Sequence, residues 1–138
     1  HKMPRILGID YGQKRSGIAV TDPLQIIVNG LLTVDTSELF EFLKSYLQKE
    51  QVEKIVLGLP RHKDGNDTYL TQEIRNFGEK LRGLSSDLNI DFHDESFTSH
   101  TAKSFLVQSG MKKSKRRDKA ELDKMSAVVI LQEYLKHI

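Results

Sequence analysis

At 138 residues, with 38% hydrophobic and 29% charged residues, the chain has the size and balance of one folded domain, expected over residues 4–138, and not of a disordered segment. It has no cysteine, which excludes disulfides, cysteine-based zinc sites and thiol nucleophiles and makes a reducing cytoplasm the expected location. The longest apolar run, Ala127 to Leu131, is far short of the roughly 20 residues that span a membrane, so no membrane partner is expected. His1-Lys2 ahead of Met3 reads as a tag remnant and is left out of the fold argument.

In chain order, Arg5–Asp10 (RILGID) reads as a short buried strand and Ser16–Thr21 (SGIAVT) as a second. The tight connection YGQKR between them predicts a hairpin. Leu31–Val34 is a third strand. Thr36 or Ser37 can cap the helix that follows, whose stripe is Leu39, Phe40, Phe42, Leu43, Tyr46 and Leu47. Lys54–Leu59 (KIVLGL) is a continuous apolar run, as in a strand covered on both faces, and Pro60 ends it. Lys63–Asp67 (KDGND) has turn chemistry. A helix over about Tyr69–Leu81 follows, with Leu70, Ile74, Phe77 and Leu81 on one side. Ile90–His93 is a fifth strand. A helix from Thr98 to Ser109 stops at Gly110, and a last helix covers about Ala120–Lys136. This order of elements implies an α/β fold: a mixed sheet with helices on its faces.

Charge is unevenly spread. Lys112, Lys113, Lys115, Arg116, Arg117 and Lys119 surround the single acid Asp118, so residues 112–119 carry +5 and the rest of the chain −3. Such a segment is either a polyanion-binding element or a solvated loop.

The most informative residues are acids where apolar residues are expected. Period two puts Ile6, Gly8 and Asp10 on one face of the first strand and Leu7, Ile9 and Tyr11 on the other, so Asp10 ends a buried strand with open space beside it at Gly8. In the last helix Asp123 shares a stripe with Ala127, Ile130, Leu131 and Tyr134. A carboxylate aimed at a sheet needs a partner. That partner is a metal ion, a salt bridge, or the helix N-terminus, since Asp123 lies in the first turn. Glu95 directly follows the fifth strand. Together, Asp10, Glu95 and Asp123 are three hard oxygen ligands able to face one sheet edge. They suit Mg²⁺ or Mn²⁺ rather than zinc, and two such ions about 3.5–4 Å apart can hydrolyse a phosphodiester.

Other chemistries find less support. The five histidines form no metal motif: His62 and His100 read as surface residues and His93 as a structural one. No Walker sequence is present, because Ile18 follows Gly17 where a lysine is needed. Ser96, Thr98 and Ser99 have no placed base and read as capping residues.

In order and spacing, RILGIDYGQKRSGIAVTD, IVLGLPRHKDG, HDESFTS and DKMSAVVILQEYL resemble the YqgF family, also called RuvX, from about Pro4 to Leu135. The resemblance implies a ribonuclease H-like fold with a five-stranded sheet in the order 3-2-1-4-5 and helices on both faces. It implies a nuclease that matures the 5′ end of pre-16S ribosomal RNA or resolves Holliday junctions. It assigns the acids to Asp10, Glu95 and Asp123, and a basic turn to Lys14 and Arg15. One departure is visible: Ser96 and Phe97 follow the DE pair where the family commonly has an arginine.

The expectation is therefore a metal-dependent nuclease. Lys14, Arg15 and the Lys112–Lys119 segment hold the phosphate backbone without reading sequence. Precursor ribosomal RNA is the favoured partner and branched DNA the alternative, with the protein a monomer or weak homodimer. A sugar-kinase-like ATPase needs two such domains, and this chain supplies one. A non-catalytic RNA- or protein-binding module is the third reading, with Ser96 its best support.

Overall fold

The computed structural model describes residues 4–60, 68–94 and 119–138. The expected turn at Lys63–Asp67, the expected helix from Thr98 to Ser109, and Gly110, His62, His100, Ser96 and Glu95 lie outside the described residues.

Five strands form one mixed sheet in the order β3-β2-β1-β4-β5, as expected. They are β1 (Arg5–Asp10), β2 (Arg15–Thr21), β3 (Val28–Asp35), β4 (Val52–Leu59) and β5 (Asn89–Asp94). β1 and β2 form the predicted antiparallel hairpin, and β2 pairs antiparallel with β3. β4 runs parallel to both β1 and β5. The described helices are α1 (Thr36–Lys49), α2 (Thr71–Arg82) and α3 (Lys119–Tyr134). None is long and apolar enough to cross a membrane.

Alternation along the strands divides the core into two layers. Leu7, Ile9, Ile18, Val20, Ile55, Leu57 and Leu59 meet Leu39 and Leu43 of α1 and Ile74 and Leu81 of α2. On the other face Ile6, Ala19, Val28 and Val56 meet Ala127, Val128, Ile130 and Leu131 of α3. Covered on both sides, β1 and β4 read as continuous apolar runs for this reason.

α3 crosses its face of the sheet diagonally. Near its start, Thr33 Oγ1 of β3 donates to the Ala120 carbonyl at 2.6 Å. Near its end, Tyr134 accepts a hydrogen bond from Lys54 of β4 at 2.8 Å and donates one to Asp91 of β5 at 2.6 Å. Between these anchors the helix backbone passes over Gly17 of β2. A Cβ on Gly17 would stand 2.0 Å from the Asp123 carbonyl oxygen, a contact no side chain can make.

Three expectations need correction. The space beside Gly8 is not open: Leu131 and the Ala127 carbonyl fill it, and a Cβ on Gly8 would lie 2.9 Å from Leu131 Cβ. Neither Thr36 nor Ser37 caps α1. The N-cap residue is Asp35, without a side-chain cap bond, because the Thr36 hydroxyl is engaged in the turn between β1 and β2. α2 begins at Thr71 rather than Tyr69, since Thr68, Leu70 and Thr71 are tied into a preceding turn and Tyr69 is left exposed.

Gly17→Ala should therefore force α3 away from the sheet. The expected cost is at least about 2 kcal/mol in urea unfolding. Gly83→Ala, at a site where the added Cβ comes no nearer than 3.4 Å to the Lys80 carbonyl, should change stability by less than about 1 kcal/mol.

Candidate active site

Asp10 closes β1 and pairs in register with Gly17 of β2. Gly17 is also where the α3 backbone at Asp123 touches the sheet. A strand end and the second turn of α3 thus bring the two carboxylates together, Asp10 on β1 and Asp123 over the neighbouring strand β2; the helix N-terminus expected as a partner of Asp123 is not available to it, because the acid of the first turn is Glu121. Both are half-buried. The Asp10 carboxyl is pushed up from the ordinary carboxylate range to about 7, first by burial and then by the negative charge of Asp123.

A ring of hydrogen bonds fixes the turn that follows Asp10. The Gly12 N–H donates to Ser16 Oγ at 3.4 Å, Ser16 Oγ bonds Thr36 Oγ1 at 2.8 Å, and Thr36 Oγ1 donates to the Gly12 carbonyl at 2.6 Å. The Thr36 N–H adds a bond to the Lys14 carbonyl at 2.9 Å. On the opposite face Tyr11 donates to Glu73 of α2 at 2.7 Å, and burial followed by this carboxylate pushes its phenol up to about 12. The backbone carrying Asp10 is held from both sides.

Of the basic residues expected to hold phosphate, Lys14 is exposed in this turn and Lys119 is exposed at the first position of α3. Arg15 points to the α3 face, and its Nε lies 3.3 Å from Asp123 Oδ2. This contact is the salt bridge left open as one reading of Asp123. Lys112, Lys113, Lys115, Arg116 and Arg117 lie outside the described residues. His93 is placed as a structural histidine: its Nε2 is 3.6 Å from Glu133 Oε1 and its ring meets Tyr134 edge-on.

Among the described residues no group of three His, Cys, Asp or Glu side chains could hold a metal. Asp10 and Asp123 supply two carboxylates, and Glu95, the third expected ligand, is not described. Gly17 and the Ser16–Thr36 pair are the site features that sequence reading misses. For Arg15 a signal does exist, because period two from Gly17 and Ala19 already puts it on the helix-covered face.

Residues 4–137 match the family described as "RuvX: Holliday junction resolvase". The chain belongs to the RuvX family. A Porphyromonas gingivalis protein named "Putative pre-16S rRNA nuclease" is 50% identical over 96% of both chains. Relatives of the same name from Flavobacterium psychrophilum and Phocaeicola vulgatus are 45% and 46% identical, again over 96–97% of each chain. Among solved structures, RuvC of T. thermophilus in complex with Holliday junction substrate superposes with a TM-score of 0.61. That match covers 98% of this chain and 96% of RuvC at 12% identity, and it shows the shared ribonuclease H-like fold. The family and the names of these relatives make the protein a nuclease.

Because Asp10 holds its proton far above the range of an unfolded carboxylate, the folded state binds more protons than the unfolded state from about pH 4 to 7. Stability contributed through this group therefore falls as pH rises through that window. In EDTA, Asp10→Asn should raise Tm at pH 8 by about 3 °C or more, and the gain should shrink toward pH 5. A gain that is equal at both pH values would contradict the burial of Asp10's charge.

Proposed function

We propose that this RuvX protein is a metal-dependent endonuclease that processes the 5′ end of pre-16S ribosomal RNA, with Asp10, Glu95 and Asp123 as its catalytic carboxylates. The observation that carries the reading is the Asp10–Asp123 pair at the end of β1, where burial first and the charge of Asp123 second keep a proton on Asp10 near neutral pH. A cation offsets that charge. Oxygen donors without cysteine fit Mg²⁺ or Mn²⁺, and the names of the relatives support the RNA substrate.

When bound, a pair of such ions supplies an activated water and charge neutralisation at the scissile phosphate. The chain's own part is positional. Asp10, rigid at the end of a central strand, sets the place of the reacting phosphate, and Asp123 approaches it from α3. Glu95, which directly follows β5 in the sequence, is the third carboxylate of this reading. Lys14, Arg15 and Lys119, with Lys112, Lys113, Lys115, Arg116 and Arg117, take the flanking phosphates. Contacts of that kind confer affinity with a strong salt dependence and no sequence preference. The site lies in the cytoplasm, where its precursor RNA is made.

Cleavage of four-way DNA is the second reading, favoured by the family's description and by the fold shared with RuvC. Labelled precursor RNA and four-way DNA, each incubated with the protein and Mn²⁺, separate the two. We expect RNA to be cut, and Asp10→Asn to lose about 100-fold or more of that activity while keeping its fold. Lys14→Ala should mainly weaken binding. Equal cleavage by wild type and Asp10→Asn would overturn the assignment.

A further inference from the structure

Arg15 is the first residue of β2. Its backbone is fixed by pairing with Asp35 on one side and by the pinned turn on the other. The side chain is not fixed in this way. Only its Nε reaches Asp123 Oδ2, at 3.3 Å, and the two side chains are 37% and 24% exposed. A paired, fork-to-fork contact would be shorter and stronger. A single long contact at this exposure is worth less than about 1 kcal/mol and is easily exchanged.

Its position gives that exchange a meaning. Arg15 sits on Asp123, the carboxylate that α3 brings to the end of β1 beside Asp10. A divalent cation on Asp123 would lie against the guanidinium, so the two positive charges compete for one acceptor. We propose that Arg15 is the exchangeable counter-ion of the metal-free enzyme. It neutralises Asp123 until a divalent cation binds, and the displaced guanidinium then turns to the substrate phosphate beside the site. This rests on the reading of Asp123 as a metal ligand, and it links metal loading to phosphate capture through one side chain. It also reconciles two of the three partners open to Asp123 in the sequence, a salt bridge and a metal, as successive partners of the same carboxylate.

The test is calorimetric titration of Mn²⁺ into the full-length protein without nucleic acid. Arg15→Gln, which removes the competitor, should bind Mn²⁺ roughly threefold tighter than wild type or more. Arg15→Lys keeps the charge and should stay near the wild-type affinity, which separates competition from a loss of packing. Equal or weaker Mn²⁺ binding by Arg15→Gln would overturn the exchange. Asp123→Asn guards the underlying reading: unchanged Mn²⁺ affinity in that variant would show that Asp123 is no ligand, and the proposal would fall with it.

A second measurement uses RNA in EDTA. With Arg15 held by Asp123, Arg15→Gln should change RNA affinity by less than about twofold, whereas Lys14→Ala should weaken it more. Asp123→Asn should tighten RNA binding by freeing Arg15, and that gain should vanish in the Arg15→Gln, Asp123→Asn double variant. An equal loss from Arg15→Gln and Lys14→Ala would make Arg15 a plain phosphate contact and overturn the proposal.

Discussion

The contact of the α3 backbone with Gly17 determines the rest of this site. A helix normally rides on side chains about 10 Å above a sheet. Here the carbonyl of Asp123 comes so close to β2 that a single Cβ would block it. The approach brings Asp123 near enough to Asp10 for its charge to raise that carboxyl's proton affinity, second to burial. It is held from both ends, by Thr33 on the Ala120 carbonyl and by Tyr134 between Lys54 and Asp91. Leu131 and the Ala127 carbonyl press on Gly8 in the same manner, one pair of residues along β1 from Asp10.

The arrangement works against stability. Burial first, and the nearby charge of Asp123 second, raise the proton affinity of Asp10 and disfavour its charged form. The apolar face of α3 offsets it: Ala127, Ile130 and Leu131 are wholly buried, and full burial of one large aliphatic side chain contributes about 1.5–3 kcal/mol. The pair is kept because the neighbouring core is dense enough to carry it.

Much of this architecture is legible in the sequence, for identifiable reasons. β1 and β4 are covered on both faces, so their apolar runs stand out, and Asp10 stands out as the acid that ends one of them. The stripe Ala127, Ile130, Leu131 and Tyr134 fixes the buried side of α3 and places Asp123 on it. What escapes are features that depend on close approach. Gly17 looks like any glycine in a strand until a backbone lies on it. Thr36 has the right chemistry and place for a cap, but its hydroxyl bonds Gly12, far away in sequence and adjacent in the sheet. Open space at Gly8 is a fair inference from β1 alone, and only the partner helix reveals that Leu131 occupies it.

Arg15 illustrates a further limit of reading residues one at a time. Placed in a basic turn, it looks like a phosphate contact, and Asp123 looks like a metal ligand. Each assignment ignores what the group does before its ligand arrives. A carboxylate near a second carboxylate cannot wait unneutralised in a partly desolvated site without cost. Among the described residues the cation placed on Asp123 is Arg15, anchored in backbone and held in its side chain by one contact of 3.3 Å. Under the proposed exchange, metal ligand, counter-ion and phosphate contact become stages in one balance of charge at the end of β1. The rigid parts, the turn ring and the glycine contact, fix where that balance is struck.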